Sequence, residues 1–216
     1  RTKSNSEELI KSGGKFFKKV SELVDEADII IIILGNDNAL KNVYETENGL
    51  KNCDLKNKTI IEMSTTSVNY IRKISNLILS QNGSFIECPV GGSTKPAREG
   101  QLLGLIGGNK NEIESLDFLF NDLFRRYEYL GEVGKGTAMK LAINLPLLVY
   151  WQSLGEALKL TNQNGIQFEK ALDIMIDTSG ACKVAHLKTE TIINAFENNL
   201  DGSSTFGLES SLKDMK

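Results

Sequence analysis

The sequence has few of the residues that most often announce chemistry. It carries one histidine, His186, and three cysteines, Cys53, Cys88 and Cys182, in 216 residues. No two of these have metal-ligand spacing, so no zinc site and no other metal is expected. Three widely separated cysteines give no disulfide framework, and a reducing cytoplasm is the expected location. Positive charge is not in excess: 25 Lys and Arg stand against 28 Asp and Glu, a net charge of -3. Without a basic field there is nothing to hold nucleic acid by counterion release. The longest apolar run, Ile29 to Leu34, is too short to span a bilayer and lacks signal-peptide flanks, so no membrane partner is expected. No nucleophile elbow supports a Ser-His-Asp arrangement around His186, and a structural or surface role is expected for that histidine.

What remains is ordinary globular composition, 40% hydrophobic and 25% charged, organised as alternating strand and helix signals. Val20 to Ala27 reads as a short helix. Five consecutive isoleucines, Ile29 to Ile33, leave no polar face, which predicts a strand of a parallel sheet covered on both sides. Lys58 to Met63 and Ser84 to Cys88 predict two more strands, with Ser64-Thr65-Thr66-Ser67 capping a helix between them. Gln101 to Ile106 predicts a fourth strand, Asn109 to Leu123 an amphipathic helix, and Glu128 to Leu130 a last short strand. After Gly134 the strand signals stop. Thr137 to about Asn162 is one long helical pattern containing Pro146, followed by helices over 168–177 and 184–196. The expected fold is a partial Rossmann-like, doubly wound parallel α/β sheet followed by an all-α domain, with domains 1–133 and 134–216. Pro146 removes the bond to the carbonyl of Ala142, which predicts a kink.

Ligands of such a sheet sit beyond the carboxyl ends of its strands. Here those ends carry Gly35-Asn36-Asp37, Ser64-Thr65-Thr66 and Gly91-Gly92-Ser93, small residues that donate backbone and hydroxyl hydrogens or simply make turns. Lys140 lies one turn into the long helix, behind Gly131, Gly134 and Gly136, whose missing side chains let a chain segment or ligand come close. Asn144 follows on the same helical face. A desolvated lysine can move a proton, and an amide beside it can hold its geometry, although an exposed helix lysine is the commoner fate.

These residues resemble the β-hydroxyacid dehydrogenase family, which includes 3-hydroxyisobutyrate dehydrogenase, tartronate semialdehyde reductase and the glyoxylate/succinic semialdehyde reductases. Arg1-Thr2 resembles the end of the family's Asn-Arg-Thr segment, and Ile61-Glu-Met-Ser-Thr65 its Asp-x-Ser-Thr segment. Glu87-Cys-Pro-Val-Gly-Gly92 through Leu102 resembles its substrate segment, usually Asp-Ala-Pro-Val-Ser-Gly. Gly131 to Asn144 resembles Gly-x-x-Gly-x-Gly-x-x-x-Lys-x-x-x-Asn, and Leu212-Lys213-Asp214 a late Lys-Asp segment. The helical part resembles the C-terminal domain of 6-phosphogluconate dehydrogenase.

The resemblance implies hydride transfer between a nicotinamide and a small 3-hydroxy acid or semialdehyde, with Lys140 as general acid/base and Asn144 beside it. It assigns Ser64, Gly91 and Gly92 to a small carboxylate or aldehyde substrate, and Arg1, Thr2, Leu34, Gly35, Thr65 and Lys213 to NADP or NAD. Arg1 and Thr2 fall where a 2'-phosphate would sit, which favours NADP. It further implies a homodimer or homotetramer through the helical domain. The family's opening strand, Gly-x-Gly-x-x-Gly turn and helix would precede Arg1, so both ends are expected to be truncated. Gly35 and Val68 stand where the family has prolines, and Gly91 where many members have serine, which leaves the substrate open. The alternatives are an imine-reductase-like enzyme and a non-catalytic dinucleotide-binding or dimerisation module; retention of Lys140 and Asn144 speaks against both.

Overall fold

The computed structural model describes residues 3–35 and 37–196. Its strands are β1 (Ile29–Ile32), β2 (Thr59–Glu62), β3 (Ser84–Glu87), β4 (Val90–Gly91), β5 (Leu102–Gly108) and β6 (Phe124–Gly131). Its α-helices up to the last strand are α1 (Glu7–Lys11), α2 (Val20–Glu26), α3 (Asp37–Tyr44), α4 (Val68–Ser80), α5 (Thr94–Arg98), α6 (Lys110–Glu114) and α7 (Asp117–Leu123). After β6 come α8 (Lys135–Gln163), α9 (Phe168–Ile176), α10 (Lys183–Leu187) and α11 (Thr189–Phe196).

Packing divides the chain within α8, one compact unit running to Leu141 and the other beginning at Ala142. In the first unit β1, β2 and β3 are parallel neighbours, with α3 and α4 in their connections. One face of the sheet packs Ile60 and Phe85 against Leu40 and Tyr44 of α3 and Ile71, Ile74 and Ile78 of α4. The spacing of those three isoleucines puts them on one stripe of α4, which is why that helix lies on the sheet. The other face packs Ile61, Ile86 and Ile106 against Ile113, Leu116 and Phe120. Helices thus cover both faces, as a doubly wound sheet requires. Ser67 caps α4, its hydroxyl oxygen accepting the N–H of Tyr70 at 3.2 Å.

The sheet is mixed where a parallel one was expected. β5 runs antiparallel to β3 and to β4, while β6 is parallel to β5. The reason is local. A parallel neighbour needs a crossover of a dozen residues or more, usually built on a helix that can span the sheet. The connection between β3 and β5, residues 88–101, is long enough but holds only the two-residue β4 and the five-residue α5, and neither spans the sheet.

The isoleucine run also departs from expectation. Ile30 and Ile32 are buried, but Ile31 is 41% and Ile33 59% exposed. Among the described residues β1 pairs only with β2 and lies at the sheet edge, and its face bearing Ile31 is left partly open. The helix expected over 109–123 is broken at Ser115-Leu116 into α6 and α7, and β6 is longer than the expected 128–130.

In the second unit Leu154, Leu158, Ala171, Leu172 and Ile192 form a small core. The helix expected over 184–196 is two, α10 and α11, separated at Lys188. α8 continues as one helix through Pro146. Among the described residues no helix is long and apolar enough to cross a membrane, and no group of His, Cys, Asp and Glu could hold a metal ion.

Candidate active site

The carboxyl ends of β1, β2 and β3 lie side by side, and two buried glutamates organise them. Glu62, the last residue of β2, is fully buried. One of its oxygens accepts the Tyr44 hydroxyl at 2.8 Å, and the other accepts the N–H of Ser64 at 2.7 Å. Burial raises the Glu62 carboxyl above the usual range, opposed by the Ser64 and Tyr44 hydrogen bonds. Ser64 is itself buried, and its hydroxyl oxygen accepts the N–H of Leu34 at 2.7 Å. The serine therefore joins the end of β2 to the chain leaving β1. Thr66 extends the same junction, its hydroxyl donating to Asp37 at the start of α3 at 3.3 Å.

Glu87, the last residue of β3, is also fully buried. One oxygen accepts the N–H groups of Gly134 at 2.6 Å and Gly136 at 2.7 Å. The other accepts the Thr137 hydroxyl at 2.6 Å and the Thr137 N–H at 3.3 Å. These are amides that the first turn of α8 cannot pair internally. A negative group at this end also suits the helix dipole. Glu87 is a helix cap supplied from a strand 47 residues earlier in the chain.

The glycine-rich segment owes its composition to this arrangement. A Cβ on Gly136 would collide with the carbonyl oxygen of Leu105, and one on Gly107 with the Glu87 carboxylate. Gly134 has a φ of +104° and lies under the Arg72 guanidinium, whose Nε reaches the Val133 carbonyl at 3.4 Å. The close approach expected at these glycines is made by Glu87 and the β5 backbone. The amides of Gly134 and Gly136 are already engaged by Glu87.

Lys140 lies one turn beyond this anchored start and is half-buried. Asn144, one turn further along α8, is buried. Leu34 is half-buried and Gly35 exposed at the end of β1, and a side chain added at Gly35 would meet nothing within 4 Å. Thr65 is half-buried. Gly91 belongs to β4, opposite Leu103, and the exposed Gly92 has a φ of +132° that side chains resist. Arg1, Thr2 and Lys213 lie outside the described residues. His186 is exposed on α10. The sequence reading passed over Glu62, Glu87 and Tyr44. The available signal was an acidic residue closing each of two otherwise apolar strands.

Known proteins similar to this chain include semialdehyde and hydroxyacid enzymes. The chain is 33% identical over 175 residues to glyoxylate/succinic semialdehyde reductase 1 of Arabidopsis thaliana, covering 81% of this chain and 61% of that protein. It is 26% identical over 186 residues to a probable mitochondrial 3-hydroxyisobutyrate dehydrogenase of Dictyostelium discoideum, covering 86% and 58%. The chain thus spans about three fifths of the length of these relatives. Among solved structures, an imine reductase from Myxococcus stipitatus in complex with NADP+ superposes with a TM-score of 0.76 at 19% identity, covering 97% of this chain and 72% of that one. The Mycobacterium tuberculosis 3-hydroxyisobutyrate dehydrogenase with L-serine gives 0.72 at 23% identity, covering 92% and 68%. At these identities the superpositions speak for the fold. Residues 1–131 match the sequence profile of the NAD binding domain of 6-phosphogluconate dehydrogenase, and the chain belongs to that family.

Proposed function

We propose that the whole protein is an NAD(P)-dependent oxidoreductase that moves a hydride between the nicotinamide and a small 3-hydroxy acid or semialdehyde. The observation that carries this reading is the bonding at the carboxyl ends of three neighbouring strands. Leu34 is bonded to Ser64 at the ends of β1 and β2, while Glu87 at the end of β3 anchors the helix bearing Lys140. Two relatives, 33% and 26% identical, are named as a semialdehyde reductase and a probable hydroxyacid dehydrogenase.

The nicotinamide would supply or accept the hydride. Lys140 Nζ gives a proton to the carbonyl oxygen during reduction and takes it back during oxidation. Asn144 holds the lysine from the next turn. Gly91 and Gly92 offer backbone amides to a substrate carboxylate, and Gly92 can present its amide at that φ because it has no side chain. Ser64 forms the floor of the substrate site, fixed by Leu34 and Glu62. Leu34, Gly35 and Thr65 serve the cofactor, and the family resemblance assigns Arg1, Thr2 and Lys213 to it as well. NADP is favoured over NAD through Arg1. A cytoplasmic homo-oligomer formed through the helical domain completes the proposal.

The test is oxidation of NADPH and NADH by the full-length protein with glyoxylate, succinic semialdehyde and related semialdehydes. At least one pair should turn over. Lys140→Ala should lower kcat by about 10²–10⁴-fold, the usual worth of general acid–base catalysis, while cofactor still binds. Turnover of a cyclic imine with none of the aldehydes would favour the imine-reductase reading. Cofactor binding without turnover of either class would favour a binding module.

A further inference from the structure

We infer that Glu87 is a positioning residue for Lys140, acting through the first turn of α8. The inference rests on the reading of Lys140 as the proton-transfer residue.

Helix starts are ordinarily capped by a neighbouring Ser, Thr, Asp or Asn, which satisfies the free amides wherever the helix happens to lie. The start of α8 has glycine in that place, and its cap comes from β3. A local cap would stop fraying; a cap from the sheet also fixes where the helix begins. Burying a carboxylate is costly unless its oxygens are well satisfied. Glu87 meets that condition with four hydrogen bonds from three residues, Gly134, Gly136 and Thr137, at the start of this helix. Gly107 and Gly136 keep the space it occupies clear of side chains. Such a fixture is more than a stable helix of 29 residues would need.

Lys140 is four residues after Gly136 and three after Thr137, hence on the same helical face. Helical side chains lean toward the N-terminus, so the lysine stem extends back over the turn that Glu87 holds. The helix transmits a displacement of its first turn to the next. A shift of about 1 Å in a reacting group can cost on the order of 10²-fold in rate.

The experiment uses the full-length protein with its best semialdehyde and NADPH. Glu87→Gln puts an amide N–H₂ against the N–H and O–H donors of the loop in either orientation. Thr137→Val removes one of the four bonds while preserving shape. Expected are a kcat loss of roughly tenfold or more for Glu87→Gln and a smaller loss for Thr137→Val, with KM and NADPH affinity within about twofold. The readout that a merely structural role would not move is the cycle with Lys140→Ala. In that background the same substitutions should cost no further rate, because there is no lysine left to misplace. An unchanged kcat, or an equal loss with and without Lys140, overturns the inference. Should Glu87→Gln not fold, Thr137→Val decides by the same criteria. If Lys140→Ala keeps wild-type turnover, both the inference and the reading beneath it fail. If Lys140→Ala is crippled while the cycle is additive, only the inference fails.

Discussion

Glu62 and Glu87 are register partners on adjacent parallel strands, and both are fully buried. Two residues earlier on each strand, Ile60 and Phe85 belong to the same core cluster, so the two carboxylates project from the same face of the sheet. They diverge in what they hold. Glu62 joins β2 to Tyr44 of α3 and to the Ser64 turn, and Glu87 joins β3 to α8. One face of three strand ends is thus fastened by paired acids rather than by apolar packing.

Removing the phenol from this junction should be costly. Tyr44→Phe leaves one oxygen of buried Glu62 without its donor, and an unsatisfied buried acceptor costs about 1–3 kcal/mol. Denaturant unfolding at neutral pH should show that loss. A change under about 0.5 kcal/mol would mean that the oxygen finds another donor.

The pH dependence of the same site has a definite sign. Burial raises the Glu62 carboxyl in the folded protein above its unfolded range. Its contribution to stability is therefore complete below the unfolded value, about 4.3, and is lost as pH rises through the folded value. Glu62→Gln can still accept from Ser64 N–H and can donate to the Tyr44 oxygen, but it does not ionise. The stability of Glu62→Gln relative to wild type should accordingly increase from about pH 4.5 upward. Thermal unfolding of both proteins at several pH values checks this, and a difference that is flat with pH would refute it.

The glycines separate into those that make room and those that do not. Gly107→Ala drives a methyl into the Glu87 carboxylate, with the Glu132 carbonyl 3.0 Å away. Overpacking of this kind costs about 1–3 kcal/mol or more, and here it also dislodges the cap of α8. Gly35→Ala meets nothing. It should stay within about 0.5 kcal/mol of wild type, since no surface contact is created or lost. Comparison of the two midpoints of denaturation tests the distinction.

How far the sequence revealed this structure depended on whether the deciding contact was local. The stripe of Ile71, Ile74 and Ile78 and the Ser67 cap are local signals, and α4 forms as its pattern demands. The sense of β5 is not local in that way: Gln101 to Ile106 reads as a strand whichever way it runs. Its direction follows from the lack of a spanning helix after Pro89. Glycine spacing ahead of Lys140 announced a close approach, but the partner, Glu87, lies on another strand and no periodicity points to it. Ser64 was legible as a strand-end serine, whereas its burial under Leu34 depends on the pairing of β1 with β2.

Cys88 should be chemically silent in the native protein. It is buried next to Glu87, and burial pushes its thiol up to about 12. Since the thiolate is the nucleophile, alkylation by iodoacetamide at pH 8 should spare Cys88 until the chain is unfolded. Peptide mass spectrometry of native and denatured samples reads this directly. Labelling of Cys88 in the native state would show that the end of β3 opens.

The long helix offers two ways to gain stability. Gly155 lies inside α8, and a methyl added there meets nothing within 4 Å. Alanine in a helix interior is favoured over glycine by about 1 kcal/mol, so Gly155→Ala should stabilise by that order. Pro146 is exposed, and its replacement sacrifices no core packing. Pro146→Ala restores the N–H that can bond the Ala142 carbonyl, and the helix interior penalty of proline is about 3 kcal/mol. Ala142 is exposed, so water already offsets part of that penalty, and a gain between ~1 and ~3 kcal/mol is expected. Denaturant unfolding followed by helical circular dichroism measures both. A gain for Gly155→Ala with none for Pro146→Ala would mean that α8 accommodates its proline by bending, with the Ala142 carbonyl fully hydrated.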